Sequence, residues 1–149
     1  MKKLLAMSVV LAIVLLISGC FVSIQSATYT VSGSVSAHNV FMDSPENFSI
    51  VTGGNTYATS IYMPPMDSGL NQVGTYSISN VPGGETSTIT LVFLCDYTDV
   101  LASYSLDGGS PSIAGLTSSR TSGLPPYQYT VTLTGYWITE NVRLDMILK

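Results

Sequence analysis

The sequence contains few basic residues, and this scarcity limits the partners that the protein can bind. Its 149 residues include five Lys or Arg against nine Asp or Glu. Two of the five are Lys2 and Lys3, so the rest of the chain has only Arg120, Arg143 and Lys149. Nucleic-acid binding requires a basic surface that neutralises phosphates. We therefore expect no nucleic-acid partner.

Catalytic side chains are equally scarce. His38 is the single histidine, no lysine lies between Lys3 and Lys149, and the Gly-x-Ser-x-Gly signature of serine hydrolases is absent. Serine hydrolases and Ser-Lys enzymes need such groups to activate their nucleophile. We predict that the protein is not an enzyme, and the sequence indicates no cofactor.

The start of the chain has the layout of a secretory signal peptide. Met1-Lys2-Lys3 precedes an uncharged apolar run from Leu4 to Ile17. The run ends in Ile17-Ser18-Gly19-Cys20, which resembles the lipobox of bacterial lipoproteins. The resemblance implies that residues 1–19 are a cleaved signal peptide and that Cys20 is the lipidation site. Acyl chains on Cys20 would anchor the mature chain to a membrane outside the cytoplasm.

A transmembrane anchor is the alternative, because Leu4 to Ile24 approaches the roughly 20 apolar residues of a spanning helix. However, no Lys or Arg follows this segment until Arg120, so no basic flank marks a stop-transfer boundary. Lipidation is therefore favoured. Phe21, rather than Asp, follows the cysteine, and by the same resemblance this implies the outer membrane if the host has one.

Strand-like alternation dominates residues 29–149, and residues 20–28 read as a tether between the lipid and this domain. We find no amphipathic helical period. Apolar and polar residues alternate, or form short apolar runs, in these segments: Tyr29 to Val35, Phe48 to Val51, Tyr57 to Tyr62, Thr75 to Val81, Thr88 to Cys95, Val100 to Leu106, Tyr129 to Thr134 and Asn141 to Leu148. Gly53-Gly54-Asn55 predicts a hairpin turn. The sequence thus predicts one antiparallel β-sandwich of about seven or eight strands.

Two further features fall within this domain. Cys95 is in phase with Leu91 and Phe93, which predicts a buried thiol, and an exposed thiol is the alternative. Ser110 to Pro126 is rich in Ser, Gly, Thr and Pro, which predicts a long loop. Arg120 in this segment is a candidate for steering an acidic partner.

Three segments resemble the opening, middle and closing strands of carboxypeptidase-regulatory-like, or transthyretin-like, domains. They are Val31 to Val35, Gly74 to Gly84 and Asn141 to Leu148. The resemblance implies a β-sandwich that serves as an accessory module without catalysis. We therefore expect a structural or protein-interaction role in the cell envelope, with a partner that the sequence does not identify.

Ligand binding is the alternative function. Tyr127 and Trp137 would form an aromatic pair for stacking on sugars if both were exposed. Thioethers suit Cu(I), so the Met63-Pro64-Pro65-Met66 segment could join His38, Met42 and Cys95 in a metal site if folding brought them together. Core or loop packing is the competing interpretation for each of these residues.

Overall fold

The computed structural model describes residues 27–149, except for the side chains of residues 43–45. The predicted signal peptide, the predicted lipidation site Cys20 and most of the predicted tether lie outside the described residues. Within residues 27–149 no helix is long and apolar enough to cross a membrane.

In the described part of the chain, nine strands form two sheets, which confirms the predicted all-β sandwich. The four-stranded sheet has the order β4-β1-β9-β6, and the five-stranded sheet has the order β3-β2-β5-β8-β7. The strands are β1 (Thr28–His38), β2 (Met42–Thr52), β3 (Asn55–Ile61), β4 (Asn71–Pro82), β5 (Thr86–Cys95), β6 (Ala102–Leu106), β7 (Leu116–Arg120), β8 (Tyr127–Trp137) and β9 (Val142–Leu148).

Two details differ from the sequence prediction. Neighbouring strands are antiparallel except for β1 and β9, which run parallel. The strand β7 lies inside Ser110 to Pro126, so the prediction that this whole segment is a loop was wrong. The β7 side chains show no apolar alternation, and their strand conformation comes from pairing with β8.

The core lies between the two sheets. Phe48 of β2 stacks on Tyr76 of β4 with ring centroids 4.0 Å apart, a contact that joins the sheets. Cys95 is 1 % exposed, as its phase with the apolar residues of β5 predicted. The Gly53-Gly54 turn joins β2 to β3, with φ values of 55° and 74° that suit a two-residue hairpin.

The parallel ladder between β1 and β9 is interrupted at its centre. Val31 pairs with Val142 and Ser32 with Arg143, and pairing resumes between Val35 and Met146. Between them, Gly33 lies against the backbone of Leu144 so closely that a Cβ at position 33 would overlap the Leu144 carbonyl. Only glycine fits this approach.

Side chains bind the backbone groups at this interruption. The Tyr76 hydroxyl donates to the Leu144 carbonyl oxygen at 2.6 Å. The Ser34 backbone N–H and hydroxyl both donate to Asp145 Oδ1, at 2.9 and 2.8 Å. The Tyr76 hydroxyl therefore joins β4 to β9, and the Asp145 carboxylate joins β9 to β1, where the ladder is open.

We expect Gly33→Ala to destabilise the domain by about 1 to 3 kcal/mol, because the new methyl group must displace the β9 backbone. Ser32→Ala, one residue away on the outer face of β1, is the matched control. Urea unfolding followed by circular dichroism measures both. Equal midpoints for Gly33→Ala and the wild type would show that β9 accommodates the methyl group.

Candidate interaction surfaces

A group of hydrogen-bonded polar side chains lies on the outer face of the four-stranded sheet. Asp145 is 9 % exposed, and its Oδ2 accepts a hydrogen bond from Arg143 Nε at 2.9 Å. Its Oδ1 is bound by both donors of Ser34. Ser34 and Arg143 border a cavity of about 340 Å³ that is also lined by Thr75 and Tyr76. Each carboxylate oxygen is already bound within the fold, so the cluster acts as structural support.

Tyr76 is protonated over the physiological range. Burial raises the pKa of its hydroxyl far above the usual value, and the negative charge of Asp145 raises that pKa further. The hydroxyl is therefore a fixed hydrogen-bond donor to Leu144 rather than a general acid or base near neutral pH.

The structure places the residues of the proposed methionine and histidine metal site in different environments. His38 is exposed, and its Nδ1 lies 2.7 Å from Asn71 Oδ1. Met42 and Met63 are buried in the core. Among the described residues, no cluster of three or more His, Cys, Asp or Glu side chains could hold a metal ion.

Met63 and Pro64 lie instead at an end of the sandwich where side-chain hydrogen bonds join neighbouring segments. The buried side chain of Gln72 accepts a hydrogen bond from Met42 N at 2.8 Å and donates to the Pro64 carbonyl at 3.0 Å. A cavity of about 220 Å³ lies here, lined partly by the exposed side chains of Phe41 and Tyr62. The bonds of Gln72 explain why the Pro-Pro segment closes this end.

The predicted aromatic pair for sugars does not form. Tyr127 is only 8 % exposed, and the Arg120 guanidinium lies 4.4 Å from the centre of its ring. Tyr127 shares the inward phase of Tyr129, Val131 and Leu133 on β8, so it belongs to the core. The same contact means that Arg120 packs on an aromatic ring at the end of β7.

Of this predicted pair only Trp137 is exposed, because a β-bulge precedes it. The register between β5 and β8 skips Gly135, whose φ is 78°. Such an extra residue changes which side chains face outward on the rest of the strand. Trp137 would share the inward phase of Leu133 without it, and with it the indole is 56 % exposed on the outer face.

The outer face of the five-stranded sheet carries hydroxyl side chains in rows that cross the strands. Read from β3 toward β7, the rows are Thr56, Val51, Thr88 and Thr134; then Ala58, Ser49, Thr90, Thr132 and Thr117; then Ser60, Asn47, Val92, Thr130 and Ser119. All of these side chains are partly or fully exposed, and none is charged. We name this set the threonine face.

The two sides of the sandwich differ in how their strand edges are protected. On one side the outer edge of β6 is bound by Ser112, whose N–H donates to the Tyr104 carbonyl at 2.7 Å and whose carbonyl accepts from Tyr104 N at 2.9 Å. The strand β7 on that side has five residues and ends at a charged one, Arg120. Short, charged and covered edges resist pairing with another chain.

On the other side, β3 and β4 form longer edges. They have seven and twelve residues, and neither contains a charged side chain. Each pairs with one neighbour in its own sheet, β3 with β2 and β4 with β1. The edge of β4 is therefore the longest uncharged edge that the described residues present, with a regular ladder from Asn71 to Ile78 and a β-bulge at Ser79 and Asn80 before Pro82.

No family model, curated protein or solved structure matches this chain significantly.

The sequence alone predicted neither the threonine face nor the uncharged edges formed by β3 and β4. The alternating threonines of β5 and β8 are visible in the sequence, but the register that aligns them is not. Strand order likewise decides which strands become edges. Neither property is encoded in any single segment.

We expect alkaline pH to destabilise the fold partly through Tyr76. Its pKa in the folded state lies above the unfolded value of about 10. The folded state therefore binds more protons than the unfolded state once pH exceeds about 10, and stability falls as pH rises further. Tyr76→Phe should lower stability by about 1 kcal/mol at neutral pH, because the Leu144 carbonyl loses its donor.

The decisive readout is the slope of melting temperature against pH from 9 to 12. Tyr76→Phe should flatten this slope but leave a remainder, because burial also raises the pKa of Tyr129 and of Tyr136. An unchanged slope would mean that Tyr76 does not contribute to alkaline unfolding.

Proposed function

We propose that the protein is a lipid-anchored extracytoplasmic lipoprotein whose non-catalytic β-sandwich binds a protein partner along the edge of β4. The partner contributes an extended strand that continues the four-stranded sheet. The long, uncharged edge of β4, regular from Asn71 to Ile78, is the observation that carries this proposal.

The anchor is supported by the resemblance of Ile17 to Cys20 to a lipobox. The strand β1 begins at Thr28, so few residues separate the proposed lipid site from the folded domain. Even a fully extended tether would keep the first strand within roughly 30 Å of the lipid. The domain would therefore work close to the membrane surface, in the outer membrane if the host has one.

The order of the strands supports the resemblance to carboxypeptidase-regulatory-like domains. The three segments that resemble carboxypeptidase-regulatory-like domains lie on β1, β4 and β9, which are neighbours in one sheet. They meet around Gly33, Tyr76 and Asp145, where the parallel ladder is interrupted. This arrangement gives the similar segments a shared structural role and fits a domain without catalysis.

Backbone pairing explains how β4 would recognise a partner. A strand edge presents N–H and carbonyl groups that bind an added strand, while side-chain contacts give specificity. On β4, Val73, Thr75 and Ser77 are exposed on the outer face and Tyr76 is buried on the inner face. We expect the incoming strand to be uncharged, because β4 offers no ionic partner.

The lipid anchor is tested by Cys20→Ser, which should abolish incorporation of a fatty-acid analogue because the acceptor thiol is lost. Cys95→Ser is the matched control, since its thiol lies in the core, and it should keep the label. Label that persists on Cys20→Ser would refute lipidation there, and an uncleaved wild-type N-terminus would favour the transmembrane alternative.

The β4 edge is tested by photo-crosslinking the intact lipoprotein in cells that produce it. A photoreactive side chain at Val73 should give a discrete protein adduct, whereas the same group at Ser119 on β7 should not. Ser77→Lys should reduce the Val73 adduct because a charged residue on an edge opposes pairing.

Ser119→Lys is the matched charge control and should leave the Val73 adduct unchanged. Adducts of equal yield at both positions, or none at Val73, would contradict strand addition at β4.

A further inference from the structure

The threonine face lies on the sheet opposite to β4 and is not explained by strand addition there. It extends over all five strands of its sheet. Its rows contain no charge although the chain has nine acidic residues. An uncharged surface of this extent selects against ionic partners such as phosphates, acidic polymers and basic proteins.

The chemistry of the face suits a ligand with many hydroxyl groups. A threonine presents a hydroxyl, which donates and accepts hydrogen bonds, beside a methyl group that contacts C–H surface. Its β-branched side chain is restricted at χ1, so little conformational freedom is lost when it binds. The central part of the face thus presents hydroxyl and methyl groups in a regular array whose side-chain conformations are restricted before binding. Its members are Thr88, Thr90, Thr130 and Thr132.

Trp137 adds an aromatic ring at one corner of this array. It follows Thr134 on β8 beyond the Gly135 bulge and pairs in register with Thr86. The bulge exposes the indole on the same outer face as the threonines. An exposed indole can stack on the C–H face of a sugar ring while its N–H binds a hydroxyl.

We propose that the threonine face, with Trp137, binds a neutral, extended polysaccharide. Neighbouring strands lie about 4.8 Å apart, so each row offers one side chain per strand at that interval. A sugar unit in an extended β-linked chain advances by a similar distance. Successive sugars can therefore meet successive strands along a row, such as Ser49, Thr90 and Thr132. This site is independent of the β4 edge.

Trp137 provides a direct signal because it is the single tryptophan of the chain. Full-length lipoprotein in detergent micelles is titrated with soluble mixed-linkage β-glucan, and with polygalacturonate as the charged comparison. We expect the indole emission to shift with β-glucan, saturably and with little dependence on salt, and not with polygalacturonate. Sedimentation with insoluble chitin and cellulose extends the test to flat neutral polymers.

Two sets of variants locate the site. Thr90→Val and Thr132→Val remove hydroxyls while keeping the β-branched shape, and each should weaken binding about threefold to tenfold. Trp137→Ala should weaken sedimentation with the polymers about fivefold to tenfold. Thr75→Val and Ser77→Ala, on the outer face of the opposite sheet, are the matched controls and should bind as the wild type does.

The proposal fails if no neutral polysaccharide binds, or if the variants of both faces bind equally. It also fails if the indole emission shifts on lipid vesicles alone, which would make Trp137 a membrane contact. A dimer that Thr132→Lys dissociates would show that a second copy covers the face, and this result would overturn the proposal as well. Circular dichroism of each variant confirms that the fold is retained.

Discussion

The parallel pairing of β1 with β9 is the constraint on which the four-stranded sheet depends. The strand β1 lies between β4 and β9, so it joins the middle of the chain to its end. Its ladder with β9 opens at Gly33, where Leu144 comes too close for any side chain. The strands stay together here because Tyr76 binds the Leu144 carbonyl and Asp145 binds the Ser34 N–H.

This arrangement also explains why the polar side chains of Tyr76 and Asp145 are buried. A buried phenol or carboxylate without partners destabilises a fold by several kcal/mol at most sites. Here the partners are supplied by neighbouring strands, and the Asp145 carboxylate further pairs with Arg143. Tyr76 and Asp145 are of residue types that also occur in catalytic sites, but here their polar atoms hold neighbouring strands together.

Periodicity predicted the strands well because one face of each sheet is buried. Alternation along β4, β5 and β8 follows the inner and outer faces seen in the structure. It failed for β7, whose side chains are nearly all exposed and which is a strand only through its pairing with β8. Tyr127 could have been assigned to the core by extending the phase of Tyr129 and Val131. Trp137 could not, because its orientation depends on the bulge at Gly135.

The strand directions place the β4 edge and the threonine face relative to Thr28, where β1 begins. Thr28, where β1 begins, pairs with Pro82 at the end of β4, and Gly84 N donates to the carbonyl of Ile138, the residue after Trp137. The start of β1, the end of β4 and the indole therefore share one end of the sandwich. From that end β4 runs along one sheet and the threonine face extends over the other. A strand added to β4 and a polysaccharide on the threonine face would thus occupy different sheets.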